Sequence, residues 1–381
     1  MEKILLFSAA RLWYHAAMTE AEFYITPLAF FLFGACIGSF LNVVIYRVPR
    51  GLSVNKPRRS FCPHCGAAIP WYRNIPIVSW LLLRGRGACC RKPIAVRYWL
   101  VEVACALLFA ALAWHLEAEE LPTVMLFCAW AALMLASFCI DWEQMTVLPV
   151  LTVPATLCAV GACTLSPWLA DAVSLEPLEG ALLSAGGAVF GFALFAVVAL
   201  LGKLVFGRRS RTYETAQPWS LRQEGEEDIA LRIGSDTLLW SKLFMEESDR
   251  LTLTAAQERT HEQAAGEITF THCAMLLPDG TEVALESVEE LGGSCTGYRH
   301  CRAAMGSGDA WLAMAIGAAC GWQGVIFALV GGSFIGIAQA LLARIGRGTP
   351  MPFGPALIAA AMLWLFFNEE ILAAIATFYG A

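Results

Sequence analysis

Charge is what this sequence has least of. Only 15% of its 381 residues are Asp, Glu, Lys or Arg, against 58% hydrophobic, whereas a water-soluble globular chain carries about 25% charged residues. That shortage, with a mean hydropathy of +0.59, excludes an ordinary soluble enzyme and a disordered chain. Also missing are a G-x-S-x-G nucleophile elbow and an H-E-x-x-H zinc helix. The six histidines (His15, His64, His115, His261, His272 and His300) are scattered and do not suggest a catalytic base. The net charge of −6 offers no basic surface, so nucleic acid is not expected as a partner.

What the chain has instead is long apolar runs. A helix that spans a bilayer needs about 20 mostly apolar residues. Eight candidate runs can be marked off: Phe23 to Tyr46, Trp99 to Leu116, Pro122 to Ile140, Val147 to Leu165, Gly180 to Phe206, Ala310 to Cys320, Gly324 to Ala343 and Met351 to Tyr379. The sixth is short, and reads either as extended by Gly306, Gly308 and Asp309 or as partly re-entrant. The expected fold class is an all-α polytopic membrane protein of about eight transmembrane helices, embedded in a lipid bilayer. Residues 1–22 read as a loosely structured tail rather than a removable signal peptide.

Basic residues choose the sides. The loop from Arg47 to Arg97 carries eleven Lys and Arg, further clusters follow the fifth and seventh runs, and the turns around Glu117 to Glu120 and Ser166 to Glu179 carry none. The positive-inside bias puts the basic segments in the cytoplasm and both termini outside. The expected organisation is a first transmembrane helix (23–46), a basic Cys-containing cytoplasmic loop (47–98), helices two to five (99–206), a cytoplasmic insertion (207–305) and helices six to eight (306–381). The insertion is acidic, with 17 acidic and 10 basic residues between Arg208 and Gly308. Strand-like alternation at Leu251 to Thr254, Ile268 to Leu277 and Thr281 to Leu285, with a turn at Pro278-Asp279-Gly280, predicts a small β-containing domain. Arg208 to Asp228 reads as a linker.

Two aspartates stand out. Asp141 ends the third run and Asp309 begins the sixth, after Gly306-Ser307-Gly308. Either acid alone also fits a structural role, as the residue that marks where a helix leaves the bilayer. The topology puts both at the cytoplasmic boundary. Two carboxylates close together share one proton; the ionised one takes a proton from water while the other polarises a peptide carbonyl. Gly306 and Gly308 would let a substrate backbone approach closely. The dipoles of their own helices favour charge on Asp309 and disfavour it on Asp141, which makes Asp141 the expected proton carrier.

Of the 14 cysteines, most lie in apolar runs, where a reduced thiol is a small hydrophobe. Cys62, Cys65, Cys89 and Cys90 form a polar set. Four thiolates suit tetrahedral zinc, although adjacent cysteines ligate one ion only with strained geometry, and His64 is an alternative ligand. The competing reading is a loop held by packing and its prolines.

In these residues the chain resembles the bacterial type IV prepilin peptidases, a membrane-embedded aspartic protease family. The matching blocks are Gly38-Ser39-Phe40-Leu41-Asn42 through Pro49, Cys62 to Cys65 with Ile75 to Trp80, Pro93-Ile94 to Arg97-Tyr98 with Val101-Glu102, Ile140-Asp141 with Leu148-Pro149, Gly306-Ser307-Gly308-Asp309, and Pro352-Phe353-Gly354-Pro355. The G-x-G-D motif falls on Gly306 to Asp309 and the other catalytic acid on Asp141. The resemblance implies cleavage of the basic leader of prepilins or type II secretion pseudopilins, after a glycine, at the cytoplasmic face of the bacterial inner membrane. Many members also methylate the new amino terminus with S-adenosylmethionine.

Three positions depart from the family pattern. Val150 stands where an acid usually follows Leu-Pro, Trp311 where a lysine follows G-x-G-D, and Gly87 where the third cysteine of the loop would fall. Gly38, Ser39 and Asn42 are candidate packing or substrate positions. Two rival readings are a catalytically inactive member that scaffolds secretion machinery and a proton-coupled transporter with intramembrane acids. The transporter would need acids near mid-bilayer and inverted repeats.

Overall fold

The computed structural model describes residues 20–56, 61–62, 64–116, 120–170, 176–206, 208–224, 228–244, 249–258, 266–271, 273–284, 291–301, 306–342 and 351–379. Most of the expected N-terminal tail, the end of the seventh run at Ala343, and the acidic turn at Glu117 to Ala118 and Glu119 lie outside them. Two compact units emerge, one formed by Met1–Ala193 with Gly308–Ala381 and the other by Leu194–Ser307.

The first unit is helical. Its long helices are α1 (Glu20–Arg47), α2 (Val96–His115), α3 (Leu121–Gln144), α4 (Pro149–Leu165), α5 (Pro177–Phe206), α6 (Ser307–Leu342) and α7 (Gly354–Tyr379); the C-terminal part of α5 belongs to the second unit. All but α4, which has 17 residues, are long and apolar enough to cross a membrane, six in total among the described residues. The expected count of about eight spans is therefore not confirmed by helix length and composition. All eight apolar runs are helical, but the fourth is short, and the sixth and seventh form the single run α6.

That run is interrupted at Gly321, whose φ of 65° and ψ of −176° belong to a region open essentially only to glycine. The chain turns back there. A Cβ placed on Gly317 would lie 3.1 Å from Cγ2 of Val325, and one on Gly191 would lie 3.2 Å from the same methyl while abutting the carbonyl of Ala313. A straight helix would hold residues 313 and 325 about 18 Å apart. The turn also leaves carbonyls short of partners before the break. The Ser184 hydroxyl donates to Ala318 O at 2.7 Å, a carbonyl whose i+4 amide lies beyond Gly321, which meets the demand that backbone groups in an apolar medium be satisfied internally.

Close approach of backbones sets the rest of the packing. A Cβ on Gly34 would lie 2.8 Å from Cβ of Phe109, and one on Gly38 would lie 2.8 Å from Cα of Glu102. Small residues four apart thus let α1 lie against α2, as small-xxx-small faces do in membranes.

The second unit holds one antiparallel sheet of eight strands, ordered β3-β2-β1-β8-β4-β5-β6-β7. These are β1 (Arg208–Glu224), β2 (Asp228–Ile233), β3 (Asp236–Leu239), β4 (Arg250–Glu258), β5 (Gly266–Phe270), β6 (Ala274–Leu276), β7 (Glu282–Ala284) and β8 (Leu291–Cys301). The expected strands fall on β4, on β5 with β6, and on β7. The turn at Pro278 to Gly280 is present, with Gly280 at φ 86°. The linker reading of Arg208 to Asp228 is corrected for its first part: while residues 225–227 lie outside the described residues, Arg208–Glu224 is the longest described strand, paired with both β2 and β8. Its charges obscured a period of two, Tyr213, Trp219 and Leu221, that packs on a core with Leu231, Leu251, Leu253, Ile268 and Phe270.

Candidate functional site

Helix α3 ends abruptly. Met145 takes a left-handed conformation (φ 54°, ψ 37°) and its amide donates to Asp141 O at 2.8 Å, which terminates the helix one turn after the acid. Asp141 is 4% exposed. Its Oδ2 accepts a hydrogen bond from the amide of Gly354 at 3.0 Å, and Gly354 is the first residue of α7. The carboxylate therefore sits on the positive end of α7. That bias opposes the one from the C-terminus of its own helix, so dipoles alone no longer rank the two acids.

Gly354 must be glycine at this place. A Cβ on it would lie 2.6 Å from Oδ2 of Asp141 and 3.3 Å from Cδ2 of Leu312. Leu312 follows Asp309 by one turn of α6. A Cβ on Gly308 would lie 2.7 Å from Cβ of Val147 and 3.0 Å from its carbonyl oxygen, so the chain just beyond α3 packs on the first turn of α6. The end of α3 and the starts of α6 and α7 thus meet in one corner, with Asp141 inside it and Asp309 in the adjoining first turn. Gly308 faces Val147 on its Cα side, and Gly306 lies half-buried just ahead of α6.

The four loop thiols also converge. All four Sγ atoms of Cys62, Cys65, Cys89 and Cys90 lie within 4.8 Å of one another, with Cys65–Cys89 at 3.4 Å and Cys62–Cys90 at 3.7 Å. Zinc–sulfur bonds of about 2.3 Å in a tetrahedron put sulfurs about 3.8 Å apart, so the donor set fits a metal. Backbone amides of His64 and Cys65 pull the Cys62 thiol down to about 6, whereas Cys89, hydrogen-bonded to Cys65 and Cys62, is pushed up to about 12.

Two matching hairpins present these thiols. In the first, Phe61 bridges Ala68, the Cys62 amide donates to Ala67 O at 2.9 Å, and the amide of Gly66, at φ 70°, donates to Cys62 O. In the second, Arg86 bridges Pro93, the Gly87 amide donates to Lys92 O at 2.9 Å, and the amide of Arg91, at φ 58°, donates to Gly87 O. Gly87 holds the place that Cys62 holds in the first hairpin. A Cβ there would lie 3.7 Å from the Cys90 sulfur and 3.9 Å from that of Cys89, and Cys89 brings its thiol into the same space from two residues along.

The acid corner and the thiol loop occupy one end of the bundle. Arg97, at the start of α2, grips Glu143 through Nη1 at 2.6 Å to Oε2 and 2.5 Å to Oε1, two residues beyond Asp141.

The family described as Bacterial Peptidase A24 N-terminal domain matches residues 32–116, and the Type IV leader peptidase family matches residues 275–341. Three similar proteins are each named prepilin leader peptidase/N-methyltransferase. The one from Pseudomonas putida is 35% identical over 223 residues, 53% of this chain and 72% of that protein. The one from Aeromonas hydrophila is 28% identical over 368 residues, 90% of each. The one from Myxococcus xanthus is 39% identical over 194 residues, and there the match spans 49% of this chain and about half, 53%, of the relative. The chain belongs to the type IV leader peptidase family. No solved structure matches it.

The first matched stretch contains the thiol loop and the second contains Gly306 to Asp309. Of the departures from the family pattern, Val150 lies exposed near the start of α4. Trp311 packs edge-on against Phe192 of α5, with centroids 5.1 Å apart, so an aromatic helix contact stands where the lysine is usual. Sequence reasoning missed Gly354. Its signal is the Pro352-Phe353-Gly354-Pro355 block, which matches the family pattern.

Proposed function

We propose that this multi-pass membrane peptidase removes the leader of type IV prepilins or type II secretion pseudopilins at the cytoplasmic face of the bacterial inner membrane, with Asp141 and Asp309 as its catalytic pair. What supports the pair is the meeting of three helix ends around Asp141, with Asp309 in the turn beside it. The pair carries one proton. The ionised carboxylate takes a proton from water as the oxygen attacks the scissile carbonyl carbon, and the protonated carboxyl gives its proton to the carbonyl oxygen. Collapse of the tetrahedral diol breaks the C–N bond: the departing amine takes a proton from the protonated carboxyl while a diol hydroxyl returns its proton to the other carboxylate, which restores the pair's single proton. The Gly354 amide holds one Asp141 oxygen in place throughout, which leaves the other for the reaction. Gly306 and Gly308 keep the approach to Asp309 free of side chains.

The four loop thiols would hold a zinc ion that ties the two hairpins together and fixes the loop against α2. The name shared by the relatives extends the reading to methylation of the new amino terminus, for which S-adenosylmethionine supplies the methyl group. The test is to co-express the full chain with a prepilin carrying a Gly-Phe junction. Wild type is expected to shorten the prepilin by its leader and to add the mass of one methyl group, whereas Asp309→Asn leaves the leader on. Undiminished cleavage by both Asp309→Asn and Asp141→Asn would overturn the catalytic assignment.

A further inference from the structure

We infer that the corner between α1, the start of α2 and the loop around Ile77 to Trp80 is a binding site for a ligand that joins a cationic nitrogen or sulfur to a carboxylate, and that its occupant is the methionine end of the methyl donor. The inference rests on the methylation reading above. Its starting point is three buried polar atoms that find no partner among the described residues: Oδ1 of Asn42, Nε1 of Trp80 and Nε1 of Trp99. Buried polar groups are nearly always paired, and each exception calls for an explanation such as a bound molecule.

The three belong to one neighbourhood. Asn42, 5% exposed, uses its amide nitrogen on Tyr98 O at 3.0 Å and Gly38 O at 3.3 Å, which leaves its oxygen as an unmet acceptor. Trp99 follows Tyr98, and its ring lies 5.6 Å from that of Trp80, tilted by 31°. One turn beyond Tyr98, the Glu102 carboxylate accepts the Ile77 amide at 2.7 Å and a hydrogen bond from Ser39. Among the described residues, the ion pairs Arg97–Glu143, Arg211–Asp236 and Arg299–Glu267 do not involve Glu102.

The chemistry of the corner is therefore two-signed. A carboxylate and an amide oxygen accept from an ammonium group, two indole N–H groups donate to a carboxylate, and two indole faces attract a sulfonium. The methyl donor carries all three groups at one end. A phosphatidylethanolamine headgroup shares the ammonium and an oxyanion but lacks the sulfonium. The corner is also joined to the thiol loop: a Cβ on Gly85 would lie 2.9 Å from Cζ2 of Trp80, and Gly85 O accepts the Ile94 amide at 2.7 Å.

The experiment uses the full chain in phosphatidylcholine nanodiscs and equilibrium dialysis against radiolabelled S-adenosylmethionine. Glu102→Gln, and the double variant Trp80→Phe with Trp99→Phe, which keeps both rings and removes both N–H groups, are each expected to bind about tenfold more weakly. Their thermal unfolding midpoints should match wild type, which separates lost contacts from lost folding. Wild-type binding that both variants retain would overturn the site while leaving methylation intact. Binding abolished by phosphatidylethanolamine nanodiscs would assign the corner to a lipid headgroup and overturn the donor as its occupant. A wild-type protein that neither binds the donor nor methylates the pilin would overturn the methylation reading, and the site with it.

Discussion

The acid corner and the thiol loop share one end of the bundle, yet they are built in opposite ways. Around Asp141 the backbone itself is the fixture: an amide of α7 grips the carboxylate, and a missing Cβ at Gly354 makes the room for it. Around the thiols the fixture is a pair of exposed hairpins with the same hydrogen-bond pattern, and one thiol reaches the group from a different position than its counterpart does. The difference teaches where substitution is tolerated. A site made by helix ends in contact cannot absorb a single added carbon, whereas a site made by side chains on hairpins can move a ligand by two residues and keep its geometry.

The sharpest way to break this contrast is at Gly354. Gly354→Ala puts a methyl against Oδ2 of Asp141 and Cδ2 of Leu312, and a displacement of that size at a reacting group costs about 100-fold in rate. Leader cleavage by the purified variant should fall by that order, with the prepilin still bound; a variant as fast as wild type would show that the α7 amide does not position the acid. At the thiol loop the expectation is rescue rather than loss. Cys89→Ser should lower the bound metal well below one ion per chain, and adding Gly87→Cys should restore it, as read by metal analysis of the purified protein. If the double variant stays metal-free, the two hairpins are not equivalent. The smallest effect belongs to the tie between the regions. Arg97 and Glu143 are about a quarter to a third exposed, at 26% and 32%, so Glu143→Gln should cost less than about 1 kcal/mol in unfolding free energy. A larger loss would mean that the two regions lean on each other.

Much of this was legible in the residues, for physical reasons that also explain the rest. Hydropathy located every apolar run, and the break between the sixth and seventh fell correctly near Gly321, because a glycine between two short apolar stretches leaves little else to build. It did not confirm the number of spanning segments, since a 17-residue helix and a run broken at Gly321 leave the count open to how each crosses. The strand Arg208–Glu224 was read as a linker because its charged side chains outnumber its apolar ones, and only the spacing of Tyr213, Trp219 and Leu221 betrays the buried face. The role of Gly354 was out of reach. Its partner Asp141 is 213 residues away in the chain, and the local Pro352-Phe353-Gly354-Pro355 block marks a motif without showing that its glycine leaves space for a distant carboxylate. The matching hairpins were half visible: Cys62 and Cys65 carried the spacing, but Gly87 hid the second copy.

The measurement that bears most directly on the catalytic pair is a double-mutant cycle on leader cleavage with Asp141→Asn and Asp309→Asn in the purified full chain. Two carboxylates that share one proton and one water act as a unit, so the two single variants and the double variant should all fall to the same residual rate. A double variant slower than either single by the product of their separate losses, or a single variant that keeps most of its rate, would contradict the shared site.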